Sequence, residues 1–362
     1  MSAEPSEPRA GNSVSAETML ACAAAARARA IAARAGQVRD FLLPDAHRLS
    51  EHVRHLTLQR LSATIDSVAR EIGEHAVRLL ERDGKQGAAA RLKQRDTIPE
   101  TLLAAQAFQG SGIIDEILAA TSLDLLTDSL PVEAKEDPDQ PSLLVRLSQS
   151  EDRLVATAAV ALMHADGRKQ GGVILPAELH HRLVWIVAAA LGRTGAGDAD
   201  IDGALIEATR RSLAAHDEGD RAEAVAMRLA LTLDPTAEMR DALMTEAVQD
   251  RRLLLLAALM AQGLRIEFTD ARDLLLDREG SGLWVALRAL DLARPAIARI
   301  GYALCEGDPA RDVEQFAAQI DAIMKISPDY ARRAIAPMRL DPDYRQAMMM
   351  LDIGKEGGAN DA

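Results

Sequence analysis

Histidine, carboxylate and tryptophan side chains occur together at residues 178–185. His180 and His181 stand beside Glu178, Arg182 and Trp185. Glu178, His181 and Trp185 share one side of a helix, so a rare tryptophan lies next to ionisable groups, as in the anchor of a protein interface. This pattern makes Glu178, His181, Arg182 and Trp185 candidate partner-binding residues. The simpler interpretation is that Trp185 packs on a neighbouring helix with the histidines at its edge, and both interpretations stay open.

A second histidine pair, His52 and His55, has a spacing that could hold a metal ion on one helix face, with Glu51 nearby. A metal site needs three or four ligands, and neither a cysteine nor a second histidine pair complements this one. Cys22 and Cys305 are far apart and match no metal or redox spacing. We therefore predict no metal site and no cofactor.

The acidic turn from His216 to Arg221 offers several carboxylates close together in sequence. They could act in acid–base chemistry only if they were buried together; the simpler interpretation is that they stabilise the next helix through its dipole. Gly-x-Ser-x-Gly is absent, and the glycine loops at 167–172 and 192–197 each follow a helix, which does not fit a phosphate-binding loop. We predict no catalytic residue and a non-enzymatic protein.

Helix signals recur along the chain and predict the elements that position these side chains. Aromatic residues make up only 2% of the chain and strand-forming residues are scarce, which favours an all-α fold. Four dipeptides place a side-chain acceptor at an N-cap position and a proline at the first helical position. They are Asp234-Pro235, Asp308-Pro309, Ser327-Pro328 and Asp341-Pro342.

The segment 58–79 carries a heptad pattern, the spacing of a long helix seam. The seam positions are Leu58, Leu61, Ile65, Val68, Ile72, His75 and Leu79. The seam fits either a homodimer interface or the central helix of an intramolecular bundle, and its short length favours the bundle. A ladder of alternating charge at Asp66, Arg70, Glu74 and Arg78 predicts a solvated face.

Two later segments are apolar on more than one side. The segment 176–191 carries one stripe at Leu179, Leu183 and Ile186 and another that includes Val184, and Leu253 to Ala261 is apolar throughout. Helices buried on several sides are produced by stacked helical hairpins. The sequence therefore predicts an irregular HEAT-like repeat array, although no fixed period is evident.

The predicted domain organisation has five parts. An acidic segment with two prolines, 132–141, has the composition of a linker. The predicted parts are a disordered tail at 1–13, an N-terminal helical bundle at 14–131, the linker, a helical-repeat domain at 142–352 and a disordered tail at 353–362.

Charge and hydropathy limit the class of partner. The net charge is −13, and most of the acidic excess follows residue 130, which makes nucleic acid an unlikely partner. A helical-repeat nucleic-acid binder that uses Arg27, Arg29, Arg34 and Arg39 remains the first alternative, and an enzyme of unrecognised type the second. No apolar stretch approaches the length of a membrane span, and no signal peptide is evident. We expect a cytoplasmic protein that binds another protein as a scaffold or regulator.

Three segments resemble a bacterial family, the domain of unknown function 2336. They are Leu175–Trp185, Ser212–Asp220 and Leu283–Leu292, and the start at Leu43-Pro44 followed by the heptad helix is also similar. The resemblance covers most of residues 40–350. It implies a helical, HEAT-like protein with no assigned activity and no catalytic residues.

Overall fold

The computed structural model describes residues 48–93, 98–132, 141–166, 172–193, 197–348 and 351. The chain divides into two compact units, residues 1–50 and residues 51–362, and the described helices all lie in the second. The described residues form helices joined by turns and contain no strand, which confirms the all-α prediction. Three predicted parts of the chain lie outside the described residues. They are the two tails, the helical segment predicted before residue 48, and most of the linker.

Sixteen α-helices are assigned within the described residues. Those before residue 132 are α1 (Glu51–Arg82), α2 (Gln86–Lys93), α3 (Ile98–Ala104) and α4 (Ile113–Ser129). Those after residue 141 are α5 (Leu143–Ser148), α6 (Arg153–Asp166), α7 (Ala177–Arg193), α8 (Ala199–Ala215), α9 (Ala222–Leu233), α10 (Ala237–Gln249), α11 (Leu253–Leu264), α12 (Phe268–Leu276), α13 (Ser281–Ala289), α14 (Arg294–Gly307), α15 (Val313–Lys325) and α16 (Pro328–Ile335). Short 3-10 turns cover Glu218–Asp220 and Ala336–Arg339, and a last helical stretch begins at residue 342.

The first hydrophobic core forms around α1, which packs against α2, α3, α4, α7 and α8. Leu61, Ile65, Val68 and Ile72 of the heptad seam are buried in it. Helices of the same chain therefore cover the middle of the seam. Leu58, at the start of the seam, is 45% exposed.

The opposite side of α1 is solvated, as the charge ladder predicts. Asp66, Arg70, Glu74 and Arg78 are all exposed, and Arg78 lies 3.9 Å from Glu74. The amphipathic pattern of α1 thus separates a core side from a water side between Thr57 and Leu80.

The second hydrophobic core contains helices α5, α6 and α9–α16, together with the later half of α4. In its middle lies α11, where Leu253 and every residue from Leu255 to Ala261 are at most 1% exposed. This helix packs against α4, α9, α10, α12 and α13. The prediction that Leu253 to Ala261 is buried on more than one side is confirmed.

The division between the cores does not coincide with the predicted linker at 132–141. Helix α4 places Ile117 in the first core and Leu126 in the second. Helices α7 and α8 follow the linker in sequence but pack in the first core, against α1. The long α1 presents buried positions on several sides, and α2–α4 cover only some of them, so later helices complete its core.

The predicted cap-and-proline signal is confirmed at two of its four positions. Ser327 Oγ accepts a hydrogen bond from the Tyr330 amide at 3.3 Å, with Pro328 in the first turn of α16. Asp341 Oδ1 accepts from the Asp343 amide at 2.9 Å, where the last helical stretch begins. These acceptors satisfy amides that have no partner inside the helix.

The same signal is wrong at Asp234 and Asp308. Asp234 ends α9 in the left-handed conformation, with φ 34°, and Thr236 is the N-cap of α10. Asp308 ends α14, and Asp312 is the N-cap of α15. Asp234 accepts a hydrogen bond from Gln262. Asp308 accepts from Arg278 and from the Ala310 amide, in a turn that precedes the cap of α15.

Arginine side chains close the carbonyl ends of several helices in the second core. The last carbonyls of a helix have no partner within it, and a guanidinium can satisfy them. The bonds run from Arg311 to Leu275 O (2.5 Å), from Arg332 to Ala289 O (3.2 Å) and from Arg339 to Leu264 O (2.9 Å). Each donor comes later in the chain than its acceptor, so these bonds tie later segments to the ends of earlier helices.

Candidate functional site

The predicted partner-binding residues lie together on one side of α7. Glu178, His181 and Arg182 are exposed, and Trp185 is partly buried. His181, Arg182 and Trp185 follow Glu178 by three, four and seven positions, which places all four side chains on neighbouring turns of one helix face. Ala189, one turn further on, is exposed as well. These five residues, which we call the α7 face, form a continuous surface.

Two hydrogen bonds order the α7 face. Trp185 Nε1 donates to His181 Nε2 at 3.2 Å, and the two rings meet edge to face with centroids 6.3 Å apart. Because Nε2 accepts, the neutral His181 ring carries its proton on Nδ1. Arg182 donates to the Ser111 carbonyl at 2.9 Å, which ties α7 to the turn before α4. The indole ring is therefore held in place while part of it stays open to solvent.

His180 points away from this face and stacks on His216. The two rings are 3.8 Å apart and nearly parallel, at 8°. His216 Nε2 lies 3.0 Å from the Leu175 carbonyl and so carries a proton, while His180 Nε2 is buried without a hydrogen-bond partner. Burial, and then the neighbouring His216, lowers the pKa of His180 to about 4. His180 is therefore neutral at neutral pH, and its stacking on His216 is a structural contact.

His52 and His55, the other histidine pair, are both exposed near the start of α1. Across the described parts of the chain, no three histidine, cysteine or acidic side chains converge in a way that could hold a metal ion. The described residues thus offer no metal-binding cluster at this pair or elsewhere.

A cavity of about 400 Å³ lies where the two cores meet. Its described lining combines apolar side chains with four carboxylates and one guanidinium, and it includes no histidine. The lining residues are Arg60, Ala120, Leu123, Asp124, Ala165, Asp166, Gly172, Val173, Ile174, Asp220, Ala222, Glu223 and Leu254. The volume falls within the range of about 300–1000 Å³ that is typical of small-molecule pockets.

The cavity wall at Gly172 and Val173 is fixed to α1 through Thr64. Thr64 Oγ1 donates to the Arg60 carbonyl at 2.8 Å and accepts from the Val173 amide at 2.9 Å. A Cβ on Gly172 would lie 2.8 Å from Thr64 Cα, so only glycine allows this close approach. The segment after Gly172 is thus held against α1 by packing and by a hydrogen bond.

Two of the cavity carboxylates are neutralised by arginines. Arg60 lies 2.7 Å from Asp124, and Arg252 lies 2.6 Å from Asp166. All four side chains are at most 32% exposed, so water screens these pairs only in part. The pairs close the polar edge of the cavity and join α1 to α4 and α6 to α11.

A buried ionic cluster lies beside the cavity and connects α4, α9 and α12. The Glu116 carboxylate binds Arg221 at 2.8 Å and Arg272 at 2.9 Å. Glu116 and Arg272 are 7% and 6% exposed. Burial by itself lowers the pKa of Arg272, but the Glu116 carboxylate outweighs it and the net pKa is raised. Glu116 is therefore a shared counter-charge for two guanidinium groups.

Glu223 lies between this cluster and the cavity. Arg221 Nε is 3.6 Å from its Oε2, which is too long for a hydrogen bond. Burial raises the pKa of the Glu223 carboxyl, and the nearby Arg221 only partly opposes this. The carboxyl is consequently a largely buried acid, 13% exposed, with a raised pKa.

Sequence reasoning missed the cavity and the ionic cluster beside it because their charged residues come from distant segments. Glu116 and Arg272 are 156 positions apart, and each is an ordinary charged residue on a helix. The acidic turn at His216 to Arg221 was the one partial signal, since Asp220 from that turn lines the cavity. The condition that its carboxylates be buried together could be checked only in the folded chain.

The chain matches no family model, no curated protein and no solved structure. The resemblance to the domain of unknown function 2336 therefore stays a prediction. None of the described helices combines the length and the apolarity that crossing a membrane requires.

Proposed function

We propose that this chain is a non-enzymatic, cytoplasmic helical-repeat protein that binds another protein and acts as a scaffold or regulator. The observation that carries the proposal is the α7 face, where Trp185 is held by His181 yet remains partly open to solvent. Tryptophan and arginine are the residue types most enriched at energetically dominant interface positions, and Arg182 lies one turn from Trp185. The indole N–H is already paired, so a partner meets an apolar ring without an unsatisfied donor.

Packing in the second core supports the repeat-like architecture in this proposal. Helices α4, α9, α10, α12 and α13 pack around α11, and later arginines bind the carbonyl ends of earlier helices. In a stack of helical hairpins each unit covers the exposed face of the one before it. A HEAT-like stack preceded by a bundle around α1 is the arrangement we propose, in keeping with the resemblance to the domain of unknown function 2336.

A protein partner fits the α7 face better than a nucleic acid does. The net charge of the chain is −13, and the α7 face presents Glu178 beside Arg182. Nucleic-acid binding depends on clustered cations that neutralise phosphates. A mixed surface around an aromatic anchor is typical of protein interfaces.

A pull-down with matched variants tests this proposal. Immobilised wild type, Trp185→Ala and Leu231→Ala are exposed to a lysate of the protein's own cells, and recovered proteins are quantified by mass spectrometry. Leu231 is the control because it is 61% exposed on another helix, α9. We expect Trp185→Ala to lose a specific partner by roughly 30-fold, since truncating an anchor costs about 2 kcal/mol or more, while Leu231→Ala retains it.

The result is interpretable only if the variants are folded, so urea midpoints are measured for all three proteins. Arg182→Ala supplies a second variant on the same face and should weaken recovery of the same partner. Equal recovery by wild type, Trp185→Ala and Arg182→Ala would remove the α7 face as the binding surface.

A further inference from the structure

The turn between α8 and α9 is fastened to the start of α7 by three side-chain contacts. His216 stacks on His180 with ring centroids 3.8 Å apart, and its Nε2 lies 3.0 Å from the Leu175 carbonyl. Glu218 accepts a hydrogen bond from the amide of Ala177, the first residue of α7. These three contacts, which we call the latch, hold the turn and the start of α7 together.

The other side of the same turn is anchored by arginines. Arg228 of α9 donates to the Gly219 carbonyl at 3.0 Å. Arg221, at the end of the turn, donates to the buried Glu116 carboxylate at 2.8 Å. A guanidinium group keeps its charge at any pH at which a protein stays folded. The turn therefore remains attached to α9 when its contacts with α7 are lost.

Protonation of His180 is incompatible with the closed latch. Its Nε2 is buried without a hydrogen-bond partner, so a cationic ring, in which both nitrogens carry a proton, would leave this donor without an acceptor. Burial, and then the charge of His216, lowers the pKa of His180 to about 4. In an open latch the ring meets water and regains its ordinary pKa of 6.5. Acid therefore favours the open latch across the interval between these two values.

The other charged groups near His180 belong to α7 itself and to the turn. They are Glu178 and His181, exposed on α7, and Asp217, Glu218 and Asp220, exposed on the turn. Helices α1, α3 and α8 also pack against α7, but among the described residues the charge that shifts the pKa of His180 is that of His216. Glu218 is a contact of the latch and is itself an acid, so its contribution needs a variant of its own.

We propose that the latch is an acid-sensitive switch, in which protonation of His180 separates the two rings and releases the turn from the start of α7 while the two cores stay folded. Glu178 and His181 of the α7 face lie in the first turns of α7, where these contacts are lost. The effect of opening on that face rests on the proposed function, whereas the opening itself does not.

Hydrogen exchange followed by mass spectrometry on the full chain tests the switch. We expect protection in peptides that cover 175–181 and 216–221, corrected for the intrinsic exchange rate, to fall about 20-fold from pH 7 to pH 5, as pKa values of 6.5 and about 4 imply. At pH 5 these peptides should be at least about tenfold less protected than α11, since α11 exchanges only through larger openings. Unchanged protection of the latch, or protection equal to that of α11, would overturn the proposal.

Variants then identify the trigger. His180→Phe keeps a ring against His216 but cannot titrate, so latch protection should change by less than about threefold over the same interval. His55→Phe, at an exposed histidine of α1, is the matched control and should show the wild-type change. Glu218→Gln keeps an acceptor for the Ala177 amide without titrating, and it should also show the wild-type change. A wild-type loss of protection in His180→Phe, or no loss in Glu218→Gln, would overturn the proposal. If His180→Phe does not fold, His180→Leu, which is smaller and also cannot titrate, takes its place.

Discussion

Two ion pairs in different regions of this protein place their charges in different environments. At the edge of the first core, Lys85 lies 2.6 Å from Asp200, and these side chains are 40% and 50% exposed. Where α4 meets α9 and α12, Glu116 lies 2.9 Å from Arg272 with both side chains at most 7% exposed. The geometry of the two pairs is similar, but water screens the first and not the second. Burial, rather than the presence of an ion pair, therefore decides what each pair contributes.

The largest effect should come from removing the shared counter-charge at Glu116. In Glu116→Gln the guanidinium of Arg272 loses its buried counter-charge and retains the 3.4 Å contact with Asp273, whose side chain is 66% exposed, so we expect the free energy of unfolding to fall by about 3–5 kcal/mol. Urea denaturation followed by circular dichroism measures it. Asp115→Asn, an exposed neighbour on α4, is the control and should change stability by no more than about 0.5 kcal/mol. Equal effects of the two substitutions would contradict the buried-pair argument.

The same substitution at two glycines should have opposite signs in the two cores. A Cβ on Gly301 in α14 would lie 2.1 Å from Phe316 Cζ, so Gly301→Ala should destabilise the second core by about 1–3 kcal/mol. Gly203 in α8 has no atom within 4 Å of its added Cβ, and Gly203→Ala should stabilise by about 0.5–1 kcal/mol through helix propensity. Paired urea midpoints give both signs. Stabilisation by both substitutions would show that Phe316 can move aside.

Stability at acid pH should depend on the stacked pair at the edge of the first core. The pKa of His180 is lowered to about 4 in the folded chain, against 6.5 for the free side chain. As pH falls from 6.5 towards 4, the unfolded state gains a proton that the folded state does not, so the free energy of unfolding decreases across this window. His180→Phe retains a ring against His216 without titrating, and its urea midpoint should decline less steeply. Parallel pH profiles for wild type and variant would exclude His180 as a source of the acid sensitivity.

The smallest effect should come from the exposed pair of the first core. Lys85→Ala removes the contact with Asp200, but both partners remain solvated, so we expect no measurable change in the urea midpoint. Adding salt should likewise leave the stability difference between this variant and wild type near zero. A loss comparable to that of Glu116→Gln would show that exposed pairs contribute as much as buried ones, and the comparison between the two cores would fail.

Local patterns predicted much of the helix content and some of the burial. The heptad pattern of α1 predicted the burial of Leu61 and Ile65, and the unbroken apolar run in α11 predicted a helix enclosed on several sides. Cap signals were less reliable, because α10 and α15 begin after later acceptors, Thr236 and Asp312, rather than after Asp234 and Asp308. On α7 the spacing placed Trp185 correctly beside His181, although the hydrogen bond between them appeared only in the structure.

The sequence by itself determined that this chain is helical, which faces of α1 and α11 avoid water, and that tryptophan and ionisable groups share one side of α7. These properties depend on residues within a few turns of each other, and helical periodicity brings them together. The return of α7 and α8 to the first core, the cluster around Glu116 and the cavity at Glu223 were decided only by the tertiary structure. Each joins residues far apart in the chain, and the burial that makes their charges consequential does not exist until the helices pack.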